Sequence, residues 1–69
     1  MILNVAFSNH SGCNIYGFKQ GAQVNARYDE KGVLYVIAPK TGMKMRIKEN
    51  DGRMFIRSMS GQTLATFCK

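Results

Sequence analysis

The feature that most constrains this chain is a turn signal, Asp51-Gly52, between two stretches in which apolar and polar residues alternate. An Asp-Gly pair readily adopts the positive φ angles of a two-residue hairpin turn, and alternation with period two places one side of each strand against a core. Residues 43–50 and 53–60 are therefore predicted to form an antiparallel hairpin.

Short alternating or apolar stretches, separated by turn residues, cover much of the remaining sequence, and none has apolar residues at helical spacing. Further strands are predicted at residues 2–7, 23–28, 33–38 and 63–67, and residues 15–18 are a candidate for a short additional strand. Residues 29–32 are predicted to form a second hairpin turn, and the strand after it is apolar on both faces, which favours a central position in a sheet. The sequence thus predicts a single small all-β domain over residues 1–69, with a five- to six-stranded, strongly bent antiparallel sheet or barrel of the SH3-like or OB-like type.

The charge of the chain indicates an acidic partner. Ten Lys and Arg residues against four Asp and Glu residues give a net charge of +6. A positive field of this kind raises the rate of encounter with polyanions, so the predicted partner is nucleic acid or an acidic protein surface. No apolar run approaches the roughly 20 residues that span a bilayer, so no membrane partner is expected. The sequence leaves the oligomeric state open, with a homo-oligomer as one way for a small core to gain stability.

Extending the register outward from Asp51-Gly52 gathers half of the ten basic side chains on one side of the hairpin, around one aromatic ring. The predicted partner-binding residues are Lys44, Arg46, Lys48, Arg53, Phe55 and Arg57. In this register Arg46 faces Arg57, and Lys44 faces Met59. Like charges opposite one another destabilise a sheet, which favours a binding role over an ordinary solvated face. The other side of the hairpin is predicted to join the core through Met43, Met45, Ile47, Met54 and Ile56.

Two functions fit such a basic face. In the first, the domain binds single-stranded nucleic acid or RNA, with phosphates on the Lys and Arg side chains and a base stacked on Phe55. In the second, it is a small inhibitor or adaptor, for example one encoded by a phage, that occupies an acidic or nucleic-acid-binding surface of a larger host protein. The sequence does not separate them, because phosphates and carboxylates attract the same cations.

The sequence carries little catalytic or metal-binding chemistry. His10 and Cys13 have the spacing of half a zinc site, with Cys68 as a third candidate ligand, but a closed structural site needs four. The same His and Cys could form a nucleophilic pair, yet no third group that would orient them is evident. We therefore expect no catalytic residue, metal or cofactor, and no enzyme activity.

The two cysteines, Cys13 and Cys68, are too few for the disulfide framework of a small secreted domain. They are predicted to be unbridged thiols in a reduced compartment, and the opening segment lacks the basic start of a signal peptide. The expected location is the cytoplasm. Tyr16 and Phe18 are predicted to pack in the core or at an end of the barrel, since a chain without Trp needs most of its aromatic rings inside.

Overall fold

The computed structural model describes all 69 residues and contains eight strands and one short helix. The strands are β1 Ile2–Ser8, β2 Gln23–Asn25, β3 Arg27–Tyr28, β4 Leu34–Ile37, β5 Lys44–Arg46, β6 Lys48–Asn50, β7 Arg53–Arg57 and β8 Thr63–Cys68. The helix, α1, spans His10–Asn14. The predicted all-β class is confirmed. No helix is long and apolar enough to cross a membrane.

The strands form two antiparallel sheets, one in the order β2-β1-β8-β7-β6 and one in the order β3-β4-β5. Strands β2 and β3 are two halves of one extended segment interrupted at Ala26, and β5 and β6 are two halves of another interrupted at Ile47. Counted as continuous segments, the strands number six, in agreement with the five to six that the sequence predicts. Each of the six pairs with its neighbours along the chain, and the first, β1, also pairs with the last, β8. The two interrupted segments belong to both sheets, so the sheets join into a small barrel-like domain.

Both interruptions lie at buried corners. Ala26 and Ile47 are 0% and 3% exposed. The N–H of Ala26 donates to the carbonyl of Met1 at 2.8 Å, and that of Ile47 donates to the carbonyl of Leu34 at 2.9 Å. The backbone donors at the corners thus keep partners although the strands bend there. Strands that change sheet by such a bend make the corners where two sheets pack across one another.

Thirteen apolar residues form one buried cluster between the sheets. They are Leu3, Val5, Phe18, Val24, Ala26, Leu34, Val36, Ala38, Ile47, Ile56, Leu64, Ala65 and Phe67. Phe18 and Phe67 meet edge to face, with ring centroids 5.8 Å apart and planes at 83°, a favoured geometry for aromatic pairs. Phe18 is buried in the cluster and half-buried Tyr16 packs against it, so the predicted packing of these two rings is confirmed.

Phe18 reaches the core from a loop, because residues 15–18 form no strand and that prediction is wrong. The polar segment before them contains α1. The side chain of Asn9 caps this helix by accepting from the N–H of Gly12 at 2.7 Å, and its amide donates to the carbonyl of Thr63 at 2.9 Å. The helix is therefore fixed by contacts with β8 that no local pattern displays.

A bulge changes the direction of side chains in β1. Val5 pairs with Phe67 and Phe7 pairs with Thr66, so two residues of β1, Ala6 and Phe7, lie opposite one residue of β8. Val5 is buried whereas Ala6 and Phe7 are exposed. Phe7 consequently lies on the outer face of the five-stranded sheet.

A second irregularity lies where β7 meets β8. Ile56 pairs with Ala65, but the next residue, Arg57, pairs with Thr63. The extra residue, Leu64, is buried together with Ala65. Thr63 and Thr66, on either side of this buried pair, therefore both lie on the outer face.

Alanine at Gly12 tests the packing of α1 on β8. A Cβ atom there would collide with the carbonyl oxygen of Leu64 and lie 2.7 Å from Oγ of Ser8. We expect Gly12→Ala to lower the free energy of unfolding by about 1–3 kcal/mol, the usual cost of overpacking, although alanine favours helix. Denaturant unfolding measures it, with Ser11→Ala on the same helix as the control that creates no such clash. Equal stability of the two variants would contradict this packing.

Candidate functional site

Four of the predicted binding residues, Lys48, Arg53, Phe55 and Arg57, lie together on the outer face of the five-stranded sheet, and we call them the Phe55 surface. Lys48 pairs directly with Phe55 across β6 and β7. The guanidinium carbon of Arg57 is 4.8 Å from the centroid of the Phe55 ring, within the range of a cation–π contact. The surface thus has one aromatic ring among three cations.

The turn at Asp51-Gly52 sets this arrangement. Asp51 has a φ angle of 52° and Gly52 one of 74°, the two positive values that a type I′ turn requires. The turn fixes the opposition of Asn50 and Arg53, and from it that of Lys48 and Phe55. The predicted register is confirmed for this part of the hairpin.

The row that contains Phe55 continues across two more strands. Thr66 of β8 pairs with Phe55 on one side and with Phe7 of β1 on the other. Phe7 is 48% exposed. Because neighbouring strands lie about 4.8 Å apart, the backbones of Phe7 and Phe55 are separated by about 10 Å. A second exposed aromatic residue therefore stands on the same face, and the sequence analysis missed it because simple alternation does not reveal the bulge.

A shallow groove of about 410 Å³ runs along this face. Its lining residues are Asn50, Asp51, Arg53, Phe55, Arg57, Thr63 and Thr66. Asp51, at the turn, is the one carboxylate among them. The groove therefore presents two guanidinium groups and two threonine hydroxyls around the ring, a set rich in hydrogen-bond donors.

The other two predicted binding residues, Lys44 and Arg46, lie in the three-stranded sheet. Arg46 pairs with Tyr35 of β4, and Lys44 pairs with Ile37. The prediction that Arg46 faces Arg57 is therefore wrong, and the six residues do not form one face of one hairpin.

The wrong pairing of Arg46 with Arg57 comes from the corner at Ile47. Extending the register outward from the turn assumes that the two strands stay paired along their whole length. On one side of Ile47, β6 pairs with β7, whereas on the other side β5 pairs with β4. β7 ends at Arg57, which pairs with Thr63, and Met59 is fully exposed in the turn that follows. The predicted pairing of Lys44 with Met59 is wrong for the same reason. Met43, also predicted in the core, lies 52% exposed before β5.

Lys44 and Arg46 belong to a second cluster, which we call the Tyr35 surface: Arg27, Tyr35, Lys44 and Arg46. Tyr35 pairs with Arg27 on one side and Arg46 on the other, so a tyrosine lies between two arginines across β3, β4 and β5. The ammonium of Lys44 is 4.5 Å from the centroid of the Tyr35 ring. The sequence predicts the two apolar faces of β4, but Arg27 and Tyr35 are not among the predicted partner-binding residues.

The basic side chains are almost free of carboxylate partners. The single ion pair of the structure joins Nζ of Lys44 to Oδ2 of Asp29 at 3.2 Å. Lys44 is thus the only one of the ten Lys and Arg residues that has a carboxylate within 4.0 Å. The positive charge of both surfaces is therefore largely uncompensated within the chain and available to an external anion.

The candidate metal ligands lie apart from these surfaces. Nδ1 of His10 lies 2.9 Å from the side-chain amide nitrogen of Asn14. Cys13 is half-buried on α1, Cys68 is exposed at the end of β8, and both are free thiols. No three His, Cys, Asp or Glu side chains come close enough together to hold a metal ion.

Comparison of the chain with protein-family models, with curated proteins and with solved structures gives no match. The inference of function therefore depends on the two basic surfaces themselves.

The turn before β4 lowers the pKa of the Asp29 carboxyl. Its Oδ1 accepts from the N–H of Val33 at 2.9 Å and of Lys31 at 2.8 Å, and its Oδ2 accepts from Lys44. The hydrogen bond from Val33 is the largest cause, partial desolvation opposes it, and Lys44 adds a smaller lowering. Because the folded pKa is depressed, the associated stability is present above the unfolded pKa and is lost as the pH falls through the folded one.

We expect an NMR pH titration to place the pKa of Asp29 below its ordinary value. Lys44→Met should raise it only part of the way, because the backbone hydrogen bonds from Val33 and Lys31 persist. Lys31→Met, which removes a charge from the same turn without a side-chain contact to the carboxyl, is the matched control. Titration of Asp29 at or above its ordinary pKa would contradict the turn geometry.

Proposed function

We propose that this protein binds single-stranded nucleic acid, DNA or RNA, through the Phe55 surface. The observation that carries the proposal is a partly exposed aromatic ring among three cations, none of which has a carboxylate partner. Proteins that bind single strands without sequence preference combine positive charge along the backbone with aromatic rings on which bases stack. Lys48, Arg53 and Arg57 hold phosphates, and Phe55 stacks against a base.

Contact between Arg57 and Phe55 strengthens this arrangement. The guanidinium of Arg57 lies over the Phe55 ring, 4.8 Å from its centroid, so a base that stacks here lies on the guanidinium plane or displaces it towards a phosphate. A base that stacks against the pair contacts both an aromatic ring and a guanidinium. Arginine suits phosphate better than lysine here, because its planar group donates two parallel hydrogen bonds.

The cross-strand row from Lys48 through Phe55 and Thr66 to Phe7 indicates the course of the bound nucleic-acid strand. Phe55 and Phe7 stand on the same face, about 10 Å apart, with Thr66 between them. A nucleic-acid strand that uses both rings runs across the β-strands, from β6 towards β1. Hydroxyls of Thr63 and Thr66 lie along this course and offer hydrogen bonds to base edges or sugars.

An acidic protein partner for an inhibitor or adaptor is the competing function, because carboxylates would meet the same cations. The exposed rings favour nucleic acid, since stacking on a base uses a flat, partly exposed ring beside a cation. Recovery of the protein's partner from a lysate, with and without nuclease, distinguishes the two.

Fluorescence anisotropy with a labelled single-stranded oligonucleotide of about twelve nucleotides tests the proposal, since small barrels of this kind occupy about 4–16 nucleotides. We expect Arg53→Glu/Arg57→Glu to abolish binding, and Phe55→Ala to weaken it by about 1–3 kcal/mol through loss of stacking. Both variants should fold, because these side chains project outward.

The matched control is Lys19→Glu/Lys40→Glu, which makes the same change of net charge in loops outside both surfaces. Weakening by the control as large as that by Arg53→Glu/Arg57→Glu would show that net charge alone governs binding. Failure of the natural protein to bind any single strand, with a stoichiometric acidic protein recovered in the presence of nuclease, would replace this function with the competing one.

A further inference from the structure

We infer that the Tyr35 surface is a second contact region for the same nucleic-acid strand, which passes from one sheet to the other around the corner at Ile47. The inference rests on the proposed function and extends it by giving the path and length of the bound strand. None of the contacts described for the Phe55 surface uses the Tyr35 surface.

The Tyr35 surface repeats the chemistry of the Phe55 surface. Tyr35 is half-buried, with Arg27 and Arg46 directly opposite on its two neighbouring strands and Lys44 against its ring. Side chains at directly opposed positions have their Cβ atoms about 5 Å apart, so all three cations lie close to one ring. Only Lys44 has a carboxylate partner, Asp29. Mutual repulsion among these cations is relieved when phosphates lie between them.

The two surfaces are continuous. Arg46 and Lys48 are successive outward-facing residues of one extended segment, on either side of the buried Ile47. Both line one shallow concavity of about 500 Å³, together with Tyr28, which is 59% exposed. The one carboxylate of this lining is Glu49. A phosphate backbone therefore meets cations on both sides of the corner, with a further aromatic ring beside it.

The dimensions suit a single strand of moderate length. One step between adjacent strands separates Tyr35 from Arg46, and another separates Lys48 from Phe55. With the rise along the strand between Arg46 and Lys48, the path measures about 17 Å. Small barrels that bind single strands cover about 4–16 nucleotides, so an oligonucleotide of about twelve reaches both surfaces.

The salt dependence of binding measures how many phosphates each surface contacts. With an oligothymidylate of about twelve nucleotides, we expect Arg27→Gln/Arg46→Gln to make the slope of log K against log salt concentration shallower by about 1.4, since each lost contact to a single strand accounts for about 0.7. Arg53→Gln/Arg57→Gln should produce a similar change. Lys19→Gln/Lys40→Gln, in loops outside both surfaces, should leave the slope unchanged, and titration should end at one oligonucleotide per protein.

The outcomes separate the inference from the function on which it rests. An unchanged slope in Arg27→Gln/Arg46→Gln, with a shallower one in Arg53→Gln/Arg57→Gln, would overturn the second contact region and leave the proposed function standing. An endpoint of two oligonucleotides per protein would overturn the single path, since the surfaces would then bind separate strands. Absence of binding by the natural protein, or equal affinity for a duplex of the same length, would overturn both.

Discussion

Two buried bends, at Ala26 and Ile47, allow this small sheet to close around its core. A core of thirteen residues is enclosed by six strands only if the sheet turns back on itself, and these two buried residues are where it does so. Each keeps its backbone N–H hydrogen-bonded, Ala26 to Met1 and Ile47 to Leu34 of β4, so neither corner leaves an unsatisfied donor. The corner at Ile47 also divides the basic residues between two sheets while leaving Arg46 and Lys48 as neighbours on its outer side.

The outer faces are shaped by departures from ideal strands. The bulge before Phe7 places that ring in the row with Thr66 and Phe55, and the extra residue Leu64 brings Thr63 opposite Arg57 on the same face. Bulges are frequent near functional sites because they re-aim side chains without ending the sheet. Partly exposed aromatic rings and unpaired cations contribute little to folding, and five of the nine cations without a carboxylate partner lie on two adjoining surfaces, each around one such ring. That distribution is the physical basis for proposing a nucleic-acid partner.

Local signals in the sequence predict much of the fold and only part of the candidate site. The Asp51-Gly52 turn and the alternation beside it are local, so the pairing of Lys48 with Phe55 is predicted. The bend at Ile47 depends on which strands pack around it, and nothing in residues 43–50 marks it, so the opposition of Arg46 and Arg57 is predicted wrongly. Helix α1 has five residues and is held by Asn9 against β8, which leaves no helical periodicity to read.

Amide chemical-shift mapping by NMR, with an unlabelled single-stranded oligonucleotide added to the isotopically labelled protein, locates the nucleic-acid interface residue by residue. We expect the largest perturbations on β6, β7 and β8 around Phe55, extending past Ile47 to Tyr35 and Arg46. Residues 10–14 of α1, which belong to neither surface, should change little. Perturbations concentrated on α1 and the 38–43 turn, or absent at saturating oligonucleotide, would contradict it.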